Sequence, residues 1–396
     1  MTRHYLLAAT LLATLAPGAV HASPTSKLLY SFGSTASDGF NPYGGLVVDK
    51  HGNLYGTTYN GGTSGFGTVF QITPTGTETI LYTFTGGKDG GDPFAALIID
   101  KKGTLFGTTQ GGGKNDFGAV FRLTPPKAGQ TAWTEKVLYS FAGGTDGGQP
   151  TTPLMEDAAG NLYGTTPKGG AANAGTVYML TPSGAKTILY EFAGLPDGAT
   201  PDSGLVMDAQ GNLYGTTKEG GTSGLCYYSG CGTVFEIQAA GGESVLYSFG
   251  GTPIGGGTDG TVPLGGLLIL SGELWGVTQL GGAYDGGTVF ALPLAGSSER
   301  VIWNFSCGVS DGCNPNGPLV ADANGFLYGT ANSGGTYNQG IVFQLVPTGV
   351  EAVLSNFGKD GEQPFSGPIL GKNGDLYATT AWGGVYGAGA VARVAP

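Results

Sequence analysis

A short motif, Leu54-Tyr55-Gly56-Thr57-Thr58, returns along this chain at intervals close to 50 residues. Its other copies are Leu105-Phe106-Gly107, Leu162-Tyr163-Gly164, Leu213-Tyr214-Gly215, Leu274-Trp275-Gly276, Leu327-Tyr328-Gly329 and Leu376-Tyr377-Ala378. Seven units of this size, each built of short strand-like pieces, restrict the chain to a solenoid or a β-propeller. The periodicity also constrains function. A residue present seven times is most simply a packing or turn residue, so a site must be sought where the units differ.

The first unit reads as four strands. Leu46 to Asp49 is a short apolar run, Lys50-His51-Gly52-Asn53 a tight turn, and Leu54 to Thr58 a second strand. A glycine-rich connection through Gly61-Gly62 leads to Gly67 to Ile72, and Thr73-Pro74-Thr75-Gly76 turns the chain into Thr79 to Phe84. β-Branched and aromatic residues bounded by Gly, Pro, Asn and Asp are strand and hairpin signals. Amphipathic helical spacing is absent after the first 22 residues, so the expected class is all-β. Short links join neighbouring strands, and the long link from a fourth strand to the next first strand should cross from the outside of one blade to the inside of the next. With strands named A to D from the inside out, the chain opens on an orphan D strand, Leu28 to Phe32. It ends on A, B and C near Pro368 to Leu370, Leu376 to Thr380 and Ala390 to Val394. The prediction is a seven-bladed β-propeller with four antiparallel strands per blade, its ring closed by the N-terminal strand pairing with the last blade.

Composition narrows the setting. Arg3, the apolar run Leu6 to Leu15 and the small residues of Val20-His21-Ala22 read as a signal peptide over 1–22, leaving one repeat domain over 23–396. The apolar run is too short to span a bilayer, and no other stretch approaches 18 apolar residues. The mature chain is therefore expected to be secreted or periplasmic and monomeric, with no membrane insertion. Glycine is very abundant, 78 of 396 residues, but its regular placement suits tight turns rather than disorder. Only 11% of residues are charged and the net charge is −11, which disfavours nucleic acid, since phosphate binding needs clustered Lys and Arg. Cys226 with Cys231 and Cys307 with Cys313 form two close pairs, read as disulfides stapling surface loops.

Over nearly all of its mature length the sequence resembles the GloVer tandem-repeat proteins of bacteria, of the choice-of-anchor type. The matching elements are L-Y-G-T-T, G-G, G-T-V-F as in Gly232-Thr233-Val234-Phe235, and D-G-x-x-P as in Asp89-Gly90-Gly91-Asp92-Pro93. The resemblance implies an exported, often surface-associated protein of undefined molecular function. Many relatives carry a C-terminal sorting or anchoring segment, and none follows Val394-Ala395-Pro396 here.

Candidate sites have to be weighed against structural roles. Asp38, Asp89, Asp146, Asp197, Asp259, Asp311 and Asp360 each begin a D-G step in the D-to-A link. Asp before Gly is a strong turn former. A ring of carboxylates also invites calcium, which takes six to eight oxygens, and Asp89 with Asp92 is the pair best suited to it. The D-to-A and B-to-C links should share one face. Aromatic residues of the B-to-C loops there, Tyr59, Phe66, Phe117, Tyr227, Tyr228, Tyr284, Tyr337, Trp382 and Tyr386, suit sugar rings or an apolar segment of a protein partner, the last six making the candidate site; the structural alternative is packing between loops. Blades 4 to 6 carry the stapled Cys226-Cys231 insertion, the lengthened 250–258 link and the Cys307-Cys313 loop, so they form the expected functional sector. Hydrolytic chemistry has little material. His51 is the one histidine after residue 22, on a turn of the opposite face, and only Arg122, Arg300 and Arg393 remain as arginines. A two-carboxylate glycosidase would have to use Glu219 with Asp259 or Asp285. The expectation is a binding module for an extracellular glycan or protein partner, then an envelope or matrix scaffold, then a glycosidase.

Overall fold

The structure is a computed structural model that describes residues 26–223, 226, 229–250, 259–296 and 298–396. The signal peptide expected over 1–22 with its cleavage at Ala22, Tyr227, Tyr228 and most of the lengthened 250–258 link lie outside the described residues. Seven antiparallel sheets, one per blade, stand around an axis; six have four strands, and in the sixth blade Gly312–Pro315 joins the four as a fifth. Blade 1 consists of A (Val47–Val48), B (Leu54–Thr58), C (Thr68–Ile72) and D (Glu78–Thr83). Blade 7 takes A (Ile369–Leu370), B (Leu376–Thr380) and C (Ala390–Val394) from the end of the chain and D (Ser26–Ser31) from its beginning. Ser26 pairs with Val394 and Ser31 with Ala390, so the ring closes as the order of strands in the sequence requires. The closing strand begins two residues earlier than its apolar run, because main-chain pairing continues past Leu28.

The repeated pentad now reads as five separate contacts. Leu54 is buried in the layer between blades 7 and 1. The Tyr55 hydroxyl donates to Asp49, whose carboxylate also accepts from the backbone of His51 and Asn53 and so shapes the A-to-B turn. Gly56 lies under the ring of Phe70: a Cβ there would sit 2.5 Å from the ring. Thr57 donates 3.1 Å to the Ala95 carbonyl in the link that leads into the next blade's inner strand, and Thr379 reaches Gly44 at 3.0 Å across the closing seam. Thr58 exchanges a 2.8 Å hydroxyl hydrogen bond with Thr68 on strand C. Two of the five contacts thus tie one blade to its neighbour.

Apolar burial is distributed over seven layers, each between two blades. At six seams the last aromatic of a D strand meets an aromatic on strand C of the next blade. Phe32–Phe70, Phe84–Phe121, Phe141–Tyr178, Phe192–Phe235, Phe249–Phe290 and Phe305–Phe343 all have centroids 4.9–5.3 Å apart. At the seventh seam Phe357 faces a C strand that carries Ala392. Ala392 stands opposite Ala378 where other blades place Phe or Tyr opposite Gly, which explains the one departure from the L-Y-G pattern.

The sequence reading missed short ladders that tie a D-to-A link to the following B-to-C link, for example Gly39–Phe40 with Asn60–Gly61 and Gly260–Thr261 with Leu280–Gly281. They establish that both link types lie on one face. Cys226–Cys231 and Cys307–Cys313 are bonded within their loops. No helix among the described residues is long and apolar enough to cross a membrane.

Candidate functional site

Each D-to-A link ends in a residue followed by proline. The residue before the proline is Asn41, Asp92, Gln149, Thr200, Val262, Asn314 or Gln363, and all seven have φ between 55° and 58°. Left-handed backbone is costly for side chains such as Thr200 and Val262, so the surroundings must hold it. They do so in both directions. Asp92 donates its amide 2.9 Å to the Phe66 carbonyl of the blade before, and its own carbonyl accepts from Gln110 of the blade after at 3.1 Å. This bend turns the next residue pair toward the axis.

The residue after the proline consequently reaches the mouth of the central channel. Going round the ring it is Tyr43, Phe94, Thr151, Asp202, Leu264, Asn316 and Phe365, and together with Lys218 and Gln279 these line a cavity of about 480 Å³. The mouth is two-sided. Blades 7, 1 and 2 supply an aromatic wall in which Tyr43 stacks on Phe94 at 5.1 Å and meets Phe365, Tyr59 and Trp382 edge-on at 5.2, 5.6 and 6.4 Å. Burial raises the hydroxyl pKa of Tyr43 and Tyr59, the latter helped by Asp92, which keeps both neutral. Blades 3 to 6 supply a mostly polar arc interrupted by Leu264, with the Thr151 hydroxyl donating to Asp202. One face stacks, and the other hydrogen-bonds.

Of the residues singled out in the sequence, Trp382 joins this wall. Tyr284, Tyr337 and Tyr386 are 64%, 64% and 57% exposed on separate B-to-C loops and are not brought together. Tyr227 and Tyr228 lie outside the described residues. Phe66 and Phe117 cover Gly86 and Gly143 of the following link, where any Cβ would strike their rings, so these two are packing residues. Glu219 pairs through its backbone with Ala199, one link before the link that holds Asp259, and Asp285 lies on the next B-to-C loop. Apart from the B-to-C aromatics Tyr59 and Trp382, the mouth residues carried no signal of their own. The available signal was a column of the repeat, the position after the proline, whose chemistry changes in every blade while its neighbours stay fixed.

Six of the seven D-G aspartates, all but Asp360, cap their own links. Asp89 accepts from the Tyr82 hydroxyl at 3.0 Å, from the Thr85 amide at 2.9 Å and from the Thr85 hydroxyl. Asp38, Asp146, Asp197 and Asp259 likewise take a tyrosine hydroxyl, from Tyr30, Tyr139, Tyr190 and Tyr247. Among the described residues there is no group of three or more His, Cys, Asp or Glu placed to hold a metal ion. Facing the capped aspartates from the start of the next D strand are Glu78, Glu135, Glu243, Glu299 and Glu351, each with one buried carboxyl oxygen lacking a hydrogen bond. Burial first, and the facing aspartate second, push Glu78, Glu135 and Glu243 up to about 7 and Glu299 and Glu351 up to about 8. In blade 3 the position is Lys186, which pairs with Asp146 at 2.9 Å.

The Gloeobacter/Verrucomicrobia repeat matches residues 87–268 and 228–392. No curated protein matches the sequence. Among solved structures, the chain is similar to one described as the extracellular domain of a hybrid two-component system of B. thetaiotaomicron, with TM-score 0.57 and 11% identity over 94% of this chain and 39% of that one. It is also similar to a structure from Bacteroides uniformis described as a 6-phosphogluconolactonase, with TM-score 0.53 and 18% identity over 82% and 88%. At such identities the likeness is one of fold.

Proposed function

The chain belongs to the Gloeobacter/Verrucomicrobia repeat family, and from that premise we propose that this member is an exported binding module whose axial mouth takes a neutral extracellular glycan. The observation that carries this reading is the two-sided cavity. Aromatic rings offer a stacking surface for the apolar face of a sugar, while amide, hydroxyl and carboxylate groups stand opposite to meet its hydroxyls. Charge is nearly balanced there, with Asp202 and Lys218 both on the lining. Asp202 is the one carboxylate on it among the described residues, where two-carboxylate hydrolysis needs a pair. That asymmetry favours holding a chain over cutting it. Exposed Tyr284 would extend the contact outward along blade 5, and the expected signal peptide and the two disulfides suit an oxidising compartment.

A single ring stacked on a sugar contributes about 1 kcal/mol, close to a fivefold change in affinity. Trp382→Ala should therefore weaken binding to neutral polysaccharides by roughly that factor, and Trp382→Ala with Lys218→Ala by more. Trp133→Ala, on the C-to-D side, should leave binding unchanged. Isothermal titration against a panel selected on a glycan array measures this. Wild-type affinity in both axial variants would remove the mouth as the site.

A further inference from the structure

The seam between blades 6 and 7 departs from the other six at three positions together. In five D strands a tyrosine donates its hydroxyl to the D-G aspartate of the following link, and in blade 5 Trp303 occupies the same place. In blade 6 the position is Ser355, fixed by the same register shift on strand C that positions Tyr82 in blade 1. The ring that should meet Phe357 from the next blade is missing, since Ala392 stands there. The residue that should face the link from the start of the next D strand is Ser26 rather than glutamate or lysine. The result is a cleft of about 590 Å³ lined by Ser26, Leu28, Phe357, Asp360 and Ala392, with the exposed ring of Tyr337 at its edge. Among the described residues the Asp360 carboxylate receives no hydrogen bond, unlike the aspartates of the other links.

We infer that this cleft is a second binding site, separate from the axial mouth, for a phenol: a planar ring carrying one hydroxyl. The five intact seams are the template. In each of them a phenol ring lies edge-on to the phenylalanine two residues on, at 5.0–5.3 Å, as in Tyr82–Phe84 and Tyr139–Phe141, and its hydroxyl donates to the link aspartate at 2.6–3.1 Å. At the open seam Phe357 and Asp360 both line the cleft and the D-strand ring is absent, while the aspartate follows its phenylalanine by three residues rather than the five of Phe84 and Asp89 and is exposed. A ligand ring would bury against Phe357 and Leu28 while its hydroxyl satisfied Asp360, reproducing an arrangement the chain already builds five times. The ring could belong to a free phenol or to the tyrosine side chain of a partner peptide.

Titration calorimetry and ligand-observed NMR on the mature protein decide it, using p-cresol, toluene and N-acetyltyrosinamide. Wild type should bind p-cresol saturably and at least about tenfold more tightly than toluene, because toluene cannot donate to Asp360. Tighter binding of N-acetyltyrosinamide than of p-cresol identifies the peptide source, and the reverse order the free phenol. Ser355→Tyr should fill the cleft, abolish p-cresol binding and raise the melting temperature. Asp360→Asn, a change at an exposed carboxylate, should shrink the preference for p-cresol over toluene without loss of fold. Absence of saturable p-cresol binding to wild type overturns the inference. So does unchanged binding by folded Ser355→Tyr, or an undiminished preference in Asp360→Asn.

Discussion

The carboxyl groups of Glu78, Glu135, Glu243, Glu299 and Glu351 show how one residue's surroundings can set the response of the entire ring to pH. Each is raised in the folded state to about 7 or 8 from an ordinary 4.5, first by burial and then by the aspartate it faces. A carboxyl raised in this way binds its proton more tightly folded than unfolded. Its contribution is complete below about 4.5 and is lost as pH rises through 7 to 8. Asp49, Asp157 and Asp208 work in the opposite sense. Burial alone would raise them, but hydrogen bonds within their turns outweigh it and hold them below 3.8, so their contribution is lost on acidification. Stability should therefore peak between these ranges. The melting temperature followed by circular dichroism is expected to be higher at pH 5.5 than at pH 8.5, and Glu299→Gln with Glu351→Gln should flatten that fall. A melting temperature that climbs steadily to pH 8.5 would contradict the assignment.

At the scale of the strand, the pairing of glycine on B with a large ring on C is a volume-matched unit. Gly107 leaves room for Phe121, whose ring would lie 2.7 Å from an added Cβ, and blade 7 solves the same problem with Ala378 opposite Ala392. Gly107→Ala alone should cost about 1–3 kcal/mol by overpacking, and Phe121→Ala alone about 3–5 kcal/mol by leaving a cavity. The double variant should lose clearly less than the sum, as urea unfolding of the three proteins will show; strict additivity would mean the two side chains do not share their space. This scale also decides what a reader of the sequence can find. Strands, turns and their order were legible because each signal occurs seven times within a few residues. The axial mouth was not, because Tyr43, Phe94 and Phe365 lie far apart along the chain and belong to one wall only once the ring is closed. The open seam was harder still, since Ser355, Ala392 and Ser26 each look unremarkable until compared with the residues of six other seams.

For the whole molecule, closure rests on a ladder between strand D of blade 7 and the last strand of the chain, supported by Thr379 reaching Gly44 at the inner edge. Removing residues 26–32 would expose the edge of Ala390–Val394 and take Phe32 from the layer it shares with Phe70. A cooperative ring should respond as a unit, with a large fall in melting temperature at every probe, whereas loss confined to blade 7 would mean the blades melt separately. The same ladder has a consequence for biosynthesis. A chain made from its amino terminus produces the closing strand first and its partner last, so strand Ser26–Ser31 must wait unpaired until the final residues have emerged. Until then at most six and a half blades form an open arc with two raw edges, and such edges pair readily with other chains. A secretion route that delivers the polypeptide unfolded, and releases it only when synthesis is complete, would spare this protein that interval.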